Sequence, residues 1–337
     1  KGLVDVIGSQ LQTKWIRNLV LGIVLAAILV GNAAYEAGNI GGATLGLSAI
    51  FPLSVDFPVY PFIVGLFAFG ILWFGSYKVL EKIFMVLVGA MGLCFVISAI
   101  ITKPSIAEMF KGAFLPTLPK GGLLTVVALV GTTVVPYNLF LHASLVKEKW
   151  NSEKDLSLVR WDTLISVGVG GLVSIAILIT AAAADLENVT SAIDMAKGME
   201  PLFGKMALYF MGFGLLLAGI TSAITAPLAA AYVASSCFGW KNGMKDLKFR
   251  VVWISILFLG VFFLSFDIKP IQVIQFAQVA NGILLPVMAI LLLWVVNRKK
   301  VMGKYTNTFF QNMIGVLIVL FALFLGMKSI FKVLEFF

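Results

Sequence analysis

Nine apolar runs, each long enough or nearly so to cross a hydrocarbon core of about 30 Å, dominate this chain. They are Leu19–Leu47, Val59–Phe74, Phe84–Ile101, Leu123–Ala143, Thr163–Ala184, Met206–Val233, Val251–Phe266, Ile271–Val296 and Met313–Phe331. Prolines, charges and polar clusters separate them, at Pro52 and Pro58, Tyr77–Lys82, Lys103–Lys120, Val146–Arg160, Asp185–Lys205, Gly239–Arg250, Lys269–Pro270 and Asn297–Thr308. Weak alternation and abundant Gly, Ala and Leu read as helices, not barrel strands. Composition agrees: 60% of residues are hydrophobic and 12% charged, against about 45–50% and 25% in a soluble domain. A chain with so little polar surface cannot face water on all sides. Soluble enzymes, secreted scaffolds, disordered linkers and nucleic-acid modules are therefore excluded. The expectation is one all-α integral membrane domain over residues 1–337, a multi-pass protein of the cell membrane with lipid as its first partner.

The formal net charge of +9 has a place in this picture. If the connections alternate sides, seventeen of the 25 basic residues fall on one face, all four arginines among them. The positive-inside rule makes that face cytoplasmic, with the Val146–Arg160, Gly239–Arg250 and Asn297–Thr308 loops on it. Lys1–Asn18 is polar and unlike a secretory signal. The chain lacks an initiator Met, so a start partway through a longer protein is expected. Cys94 and Cys237 lie in apolar runs without CxxC spacing or a nearby His, and read as small buried hydrophobes.

Polar groups at membrane depth are costly, which makes them the place to look for function. Glu36 is the one carboxylate well within a run, and Asn32, Glu36 and Asn39 share a helical face ahead of Gly41 and Gly42. That face is either a packing seam with a satisfied acid or part of an ion path. Pro136 falls mid-run in Gly131–Asn138, where it removes a donor and disfavours helical geometry at Val135. The result is either a simple kink or an unwound turn whose carbonyls can meet a cation. Asn138 and His142, the lone histidine, follow it. Gln272, Gln275, Gln278 and Asn281 on the eighth run supply neutral amide oxygens, for cation binding or for interhelical hydrogen bonds. Arg160 and Asp162 read as a solvated helix start. No catalytic constellation appears: there is no Ser/His/Asp grouping, HExxH or phosphate loop, so an enzyme is not expected.

The run GTTVVPYNLFLHASLV, Gly131–Val146, resembles the sixth helix of the Nramp divalent-metal transporters. Leu80–Phe95, Trp161–Ala183 and Leu215–Val233 resemble the fifth, seventh and eighth helices in order and spacing. The resemblance implies a broken-helix, inverted-repeat fold of the LeuT type and a transported divalent metal ion, with no resident cofactor. It also implies roles: Thr132, Val135, Gln278 and Asn281 at the metal, and Glu36, Tyr137, Asn138 and His142 along the path. Asn138, His142 and Glu36 match the family. Val135 replaces the family's metal-binding Met, Thr132 an Ala, Tyr137 a His, and Ala33 an acid three residues before the Glu. No Asp-Pro pair, the core of the family's first-helix signature, occurs here, and Lys1 aligns with the connection after the second helix. The chain is therefore expected to be either a fragment missing two helices of the family or a divergent member without the main carboxylate ligand.

Loss of the thioether removes the soft ligand, so the resemblance is nearest to the magnesium-transporting branch, and Mg²⁺ or Mn²⁺ is the expected cargo. Loss of the acid and the His at positions 33 and 137 implies transport without obligatory proton coupling. The rival readings are a symporter of the same fold for another solute, such as an amino acid with Na⁺, and a membrane scaffold that transports nothing.

Overall fold

A computed structural model describes residues 2–52, 59–75, 77–115, 117, 122, 126, 129, 135–150, 152–183, 192–240, 243–266 and 285–334. Every regular element among them is helical. Those of eight residues or more are, in chain order, α1 (Leu3–Gln10), α2 (Lys14–Ile50), α3 (Val59–Phe74), α4 (Tyr77–Ile101), α5 (Ile106–Phe114), α6 (Pro136–Lys149), α7 (Leu156–Ala183), α8 (Ala192–Phe203), α9 (Met206–Phe238), α10 (Leu247–Leu264), α11 (Leu285–Val296) and α12 (Phe309–Leu334).

Among the described residues four helices are long and apolar enough to cross a membrane, and five if the bent pair α4–α5 counts as one span. Val59–Phe74, Leu285–Val296 and Phe309–Phe324 are shorter apolar helices. The nine expected runs therefore appear unequally. The fourth is helical from Pro136 onward, and the first half of the eighth lies outside the described residues. Two stretches read as plain breaks contain helices. After α4 the chain turns by 113° through Thr102–Ser105, with Lys103 in a left-handed conformation at φ 47°. Ser105 then caps α5 by accepting from the Glu108 N–H at 3.3 Å. The Asp185–Lys205 break holds α8 in the same way.

The core is built around α9. Ala223, Ile224, Ala226 and the run Ala229–Val233 are almost wholly buried except for a trace of Tyr232. Such a line of small residues lets neighbouring helices approach closely, which is the main source of helix association in lipid. α2 lies along it with nothing between the backbones. A methyl group at Gly46 would collide with the Gly212 carbonyl, and one at Gly219 with the Ala43 backbone. Asn32, 1% exposed, donates from Nδ2 to the Ala226 carbonyl at 2.7 Å and adds a polar pin beside Pro227. α10 closes on α2 and α3, where Gly65 faces Val261 and Gly260 faces Glu36. Large apolar side chains cover the outside, as on α7 (Leu164, Val167, Leu172) and α12 (Phe309, Ile318). In water such a surface would aggregate; it suits acyl chains.

The connections also sort by end. Asp5 of α1 pairs with Lys147 at 3.7 Å, and Glu153 joins Lys304 and Tyr305. The amino-terminal segment and the loops after α6 and α11 thus share one end of the bundle, as the alternation of basic loops requires.

Candidate functional site

The expected break at Pro136 is present. Val135 is extended, at φ −82° and ψ 128°, and Pro136 takes the first helical position of α6, where its missing N–H costs nothing. The Asn138 N–H returns to the Val135 carbonyl at 3.0 Å, a tight first turn. Val135 is itself buried.

One turn of α6 separates two environments. Tyr137, Phe140 and Leu141 point inward. Tyr137 meets Tyr35 edge to face, with ring centroids 6.2 Å apart, and has the Thr225 hydroxyl of α9 and the Glu36 carboxyl as polar neighbours. Asn138 and His142, four residues apart, share the exposed face. His142 Nε2 lies 3.4 Å from the Thr163 hydroxyl of α7 and so stands apart from the inner cluster.

Glu36 is fully buried. Its Oε2 accepts from Asn39 Nδ2 at 3.3 Å, whereas Oε1 has no hydrogen-bond partner among the described residues. Asn32, the other expected partner, is engaged with α9 instead. The Tyr35 hydroxyl beside it is equally unpartnered among the described residues. A buried carboxyl oxygen and a buried phenol left open in an apolar core form a polar nest with capacity for a further ligand, ion or water. Among the described residues no three His, Cys, Asp or Glu side chains converge.

The structure therefore brings together Glu36 and Tyr137, buries Val135 two residues before the tyrosine, and sets Asn138 and His142 on another face. Thr132, Gln278 and Asn281 lie outside the described residues. Sequence reasoning missed Tyr35, Thr225 and Gly260. Tyr35 and Thr225 carried a faint signal, as polar groups within apolar runs. Gly260 carried none, since only its closeness to Glu36 gives it meaning.

The family model for natural resistance-associated macrophage protein-like (Nramp) proteins matches residues 1–332. The chain belongs to the Nramp family. Among its Nramp relatives, the divalent metal cation transporter MntH of Caldanaerobacter subterraneus is 27% identical over 299 residues, covering 85% of this chain and 69% of its own length. The natural resistance-associated macrophage protein 2 homolog of Dictyostelium discoideum is 25% identical over 331 residues, covering 94% of this chain and 52% of its own. For MntH of Klebsiella pneumoniae the figures are 29%, 72% and 59%. The chain thus spans from about half to two-thirds of the length of these relatives. The crystal structure of the Eremococcus coleocola manganese transporter with an aromatic bis-isothiourea substituted compound matches with a TM-score of 0.77 at 19% identity, covering 97% of this chain and 74% of that one. This likeness establishes the Nramp fold, an all-α, multi-pass membrane architecture of the LeuT type.

Proposed function

We propose that this Nramp chain is a single transporter domain that carries divalent cations across the bilayer past the break at Val135–Pro136. We further propose that it prefers Mg²⁺ and Mn²⁺ to softer ions and does not require proton coupling. The observation that supports this reading is the extended backbone at a buried Val135, a hydrocarbon where the family places a thioether. Without a sulfur ligand the site loses its advantage for soft metals and favours ions content with oxygen and water. Thr132, Gln278 and Asn281 are the proposed oxygen donors. Glu36 is held by Asn39 and packed against Gly260, and its neighbour toward the break is the Tyr137 phenol rather than a second acid or a histidine, since His142 lies apart from it.

Proteoliposomes carrying a pH dye and an internal metal dye test both halves. Mg²⁺ and Mn²⁺ should enter without acidifying the lumen. Val135→Met should shift competition toward Cd²⁺ by roughly tenfold to a hundredfold, the value of one good ligand at about 1–3 kcal/mol. Acidification that follows metal dose and disappears in Glu36→Gln would refute the uncoupled mechanism. Absence of any metal flux would favour the scaffold reading.

A further inference from the structure

Two adjoining cavities lie at the end of the bundle that gathers the basic loops. The first, of about 540 Å³, is bounded on one side by Gln10, Gln12 and Thr13 ahead of α2, and on the other by Arg298, Lys299 and Lys300 after α11. Among the described residues its lining contains three cations and no acid. The second, of about 550 Å³, lies between Ile290 and Leu293 of α11 and Val319 of α12. Trp294, Asn297 and Arg298 belong to both. A cationic, hydrogen-bonding chamber therefore opens directly into an apolar trough between two membrane helices.

The junction is well held. Asn297 and Asn312 exchange amide hydrogen bonds at 2.7 and 2.8 Å, and Asn307 adds a third at 3.2 Å. Asn297 Nδ2 also reaches the Leu293 carbonyl at 2.8 Å. These bonds hold the residue preceding the basic triplet. The Arg298 guanidinium lies over the Trp294 ring, 4.4 Å from its centroid, which orients its donors while the indole faces the trough.

We propose that these joined cavities bind one anionic phospholipid, with its phosphate against Arg298, Lys299 and Lys300 and an acyl chain in the Ile290–Leu293–Val319 trough. Cations beside a membrane span attract anionic headgroups, and the arginine fork suits phosphate oxygens. The trough distinguishes lipid from free phosphate, which would fill the chamber and leave the apolar wall uncovered. The position of Trp294 at the boundary fits the interfacial preference of indole.

The experiment uses the full chain in neutral detergent micelles with a phosphatidylglycerol bearing a diazirine near the end of one acyl chain. Cross-linked peptides are mapped by mass spectrometry. Label is expected on Ile290–Trp294 and around Val319, competed by unlabelled phosphatidylglycerol but not by equal phosphatidylcholine or by inorganic phosphate. Replacing Arg298, Lys299 and Lys300 together by Gln should weaken competition on the order of tenfold to a hundredfold. Should the triple variant melt early, Arg298→Gln alone carries the charge test, with Arg298→Lys retaining binding. Equal competition by phosphatidylcholine would reduce the site to a nonspecific apolar groove. Competition by inorganic phosphate would make it an anion site, and unchanged affinity in the Gln variants would overturn the proposal.

Discussion

Gly260 owes its importance to two neighbours on α2, Glu36 and Ile40. A methyl group there would sit 2.6 Å from Glu36 Cγ and 2.9 Å from Ile40 Cδ1. Gly260→Ala should therefore cost about 1–3 kcal/mol as overpacking, read as a lower melting temperature in detergent. Gly168→Ala on α7, which meets nothing within 4 Å, should be neutral or slightly stabilising and serves as the control. Asn32→Ala removes the pin to the Ala226 carbonyl; interhelical hydrogen bonds in membranes average about 0.6 kcal/mol and reach ~1.7, so a small loss in the same assay is expected. Residues of this kind divide what sequence can tell from what it cannot. Pro136 announces its own effect, because a missing N–H acts locally wherever the chain goes. Glu36 stands out because a charge in an apolar run is anomalous by itself. Its partners do not: Asn32, four residues before it, and Asn39, three after, are both candidates on one face, and only the approach of α9 assigns the first to Ala226 and leaves the second for the carboxyl.

Helices obey the same division. The long apolar ones were legible from their length, but α5 and α8 are short and carry charges, so their composition looked like that of a loop. Their helicity rests on local features such as the Ser105 cap, which a scan for apolar runs does not weigh. The contact between the loops after α6 and α11 was also invisible, since it joins residues 152 positions apart. Tyr305 donates to Glu153 Oε1 at 2.8 Å and Lys304 lies 3.2 Å away. The Tyr305 hydrogen bond first, and then Lys304, hold Glu153 below its ordinary 4.5. Glu153 in turn raises Lys304 above 10.5. A depressed acid contributes above its ordinary value and stops contributing as pH falls through the folded one. A raised base contributes below its ordinary value and stops as pH rises through the folded one. The clasp should thus be closed at neutral pH and open at both extremes. Spin labels at Lys154 and Thr306 should give a narrow distance distribution at neutral pH that broadens in acid, and Glu153→Gln should abolish the acid transition.

Sidedness belongs to the whole molecule. The contacts of Asp5, Lys147, Glu153 and Lys304 put the amino-terminal segment and the loops after α6 and α11 at one end, and the charge rule predicts that this end, with the Gly239–Arg250 loop, is cytoplasmic. Single cysteines at Ser152 or Lys245, in a background lacking Cys94 and Cys237, should resist an impermeant maleimide applied to intact cells. Ready labelling would invert the topology. The glycine seam between α2 and α9 has a mechanical consequence at this scale. Where backbone meets backbone, no side chain can change rotamer to absorb a rotation, so the two helices must travel as one stator. Any rearrangement that exposes first one side of the membrane and then the other should then fall to elements outside it, and α6, which starts at an extended residue, is one of those that meet the seam. Glu36 and Thr225 belong to the seam helices and Tyr137 to α6. Their meeting point is the bearing surface, where a stroke of the transporter would first be felt as a change in contact.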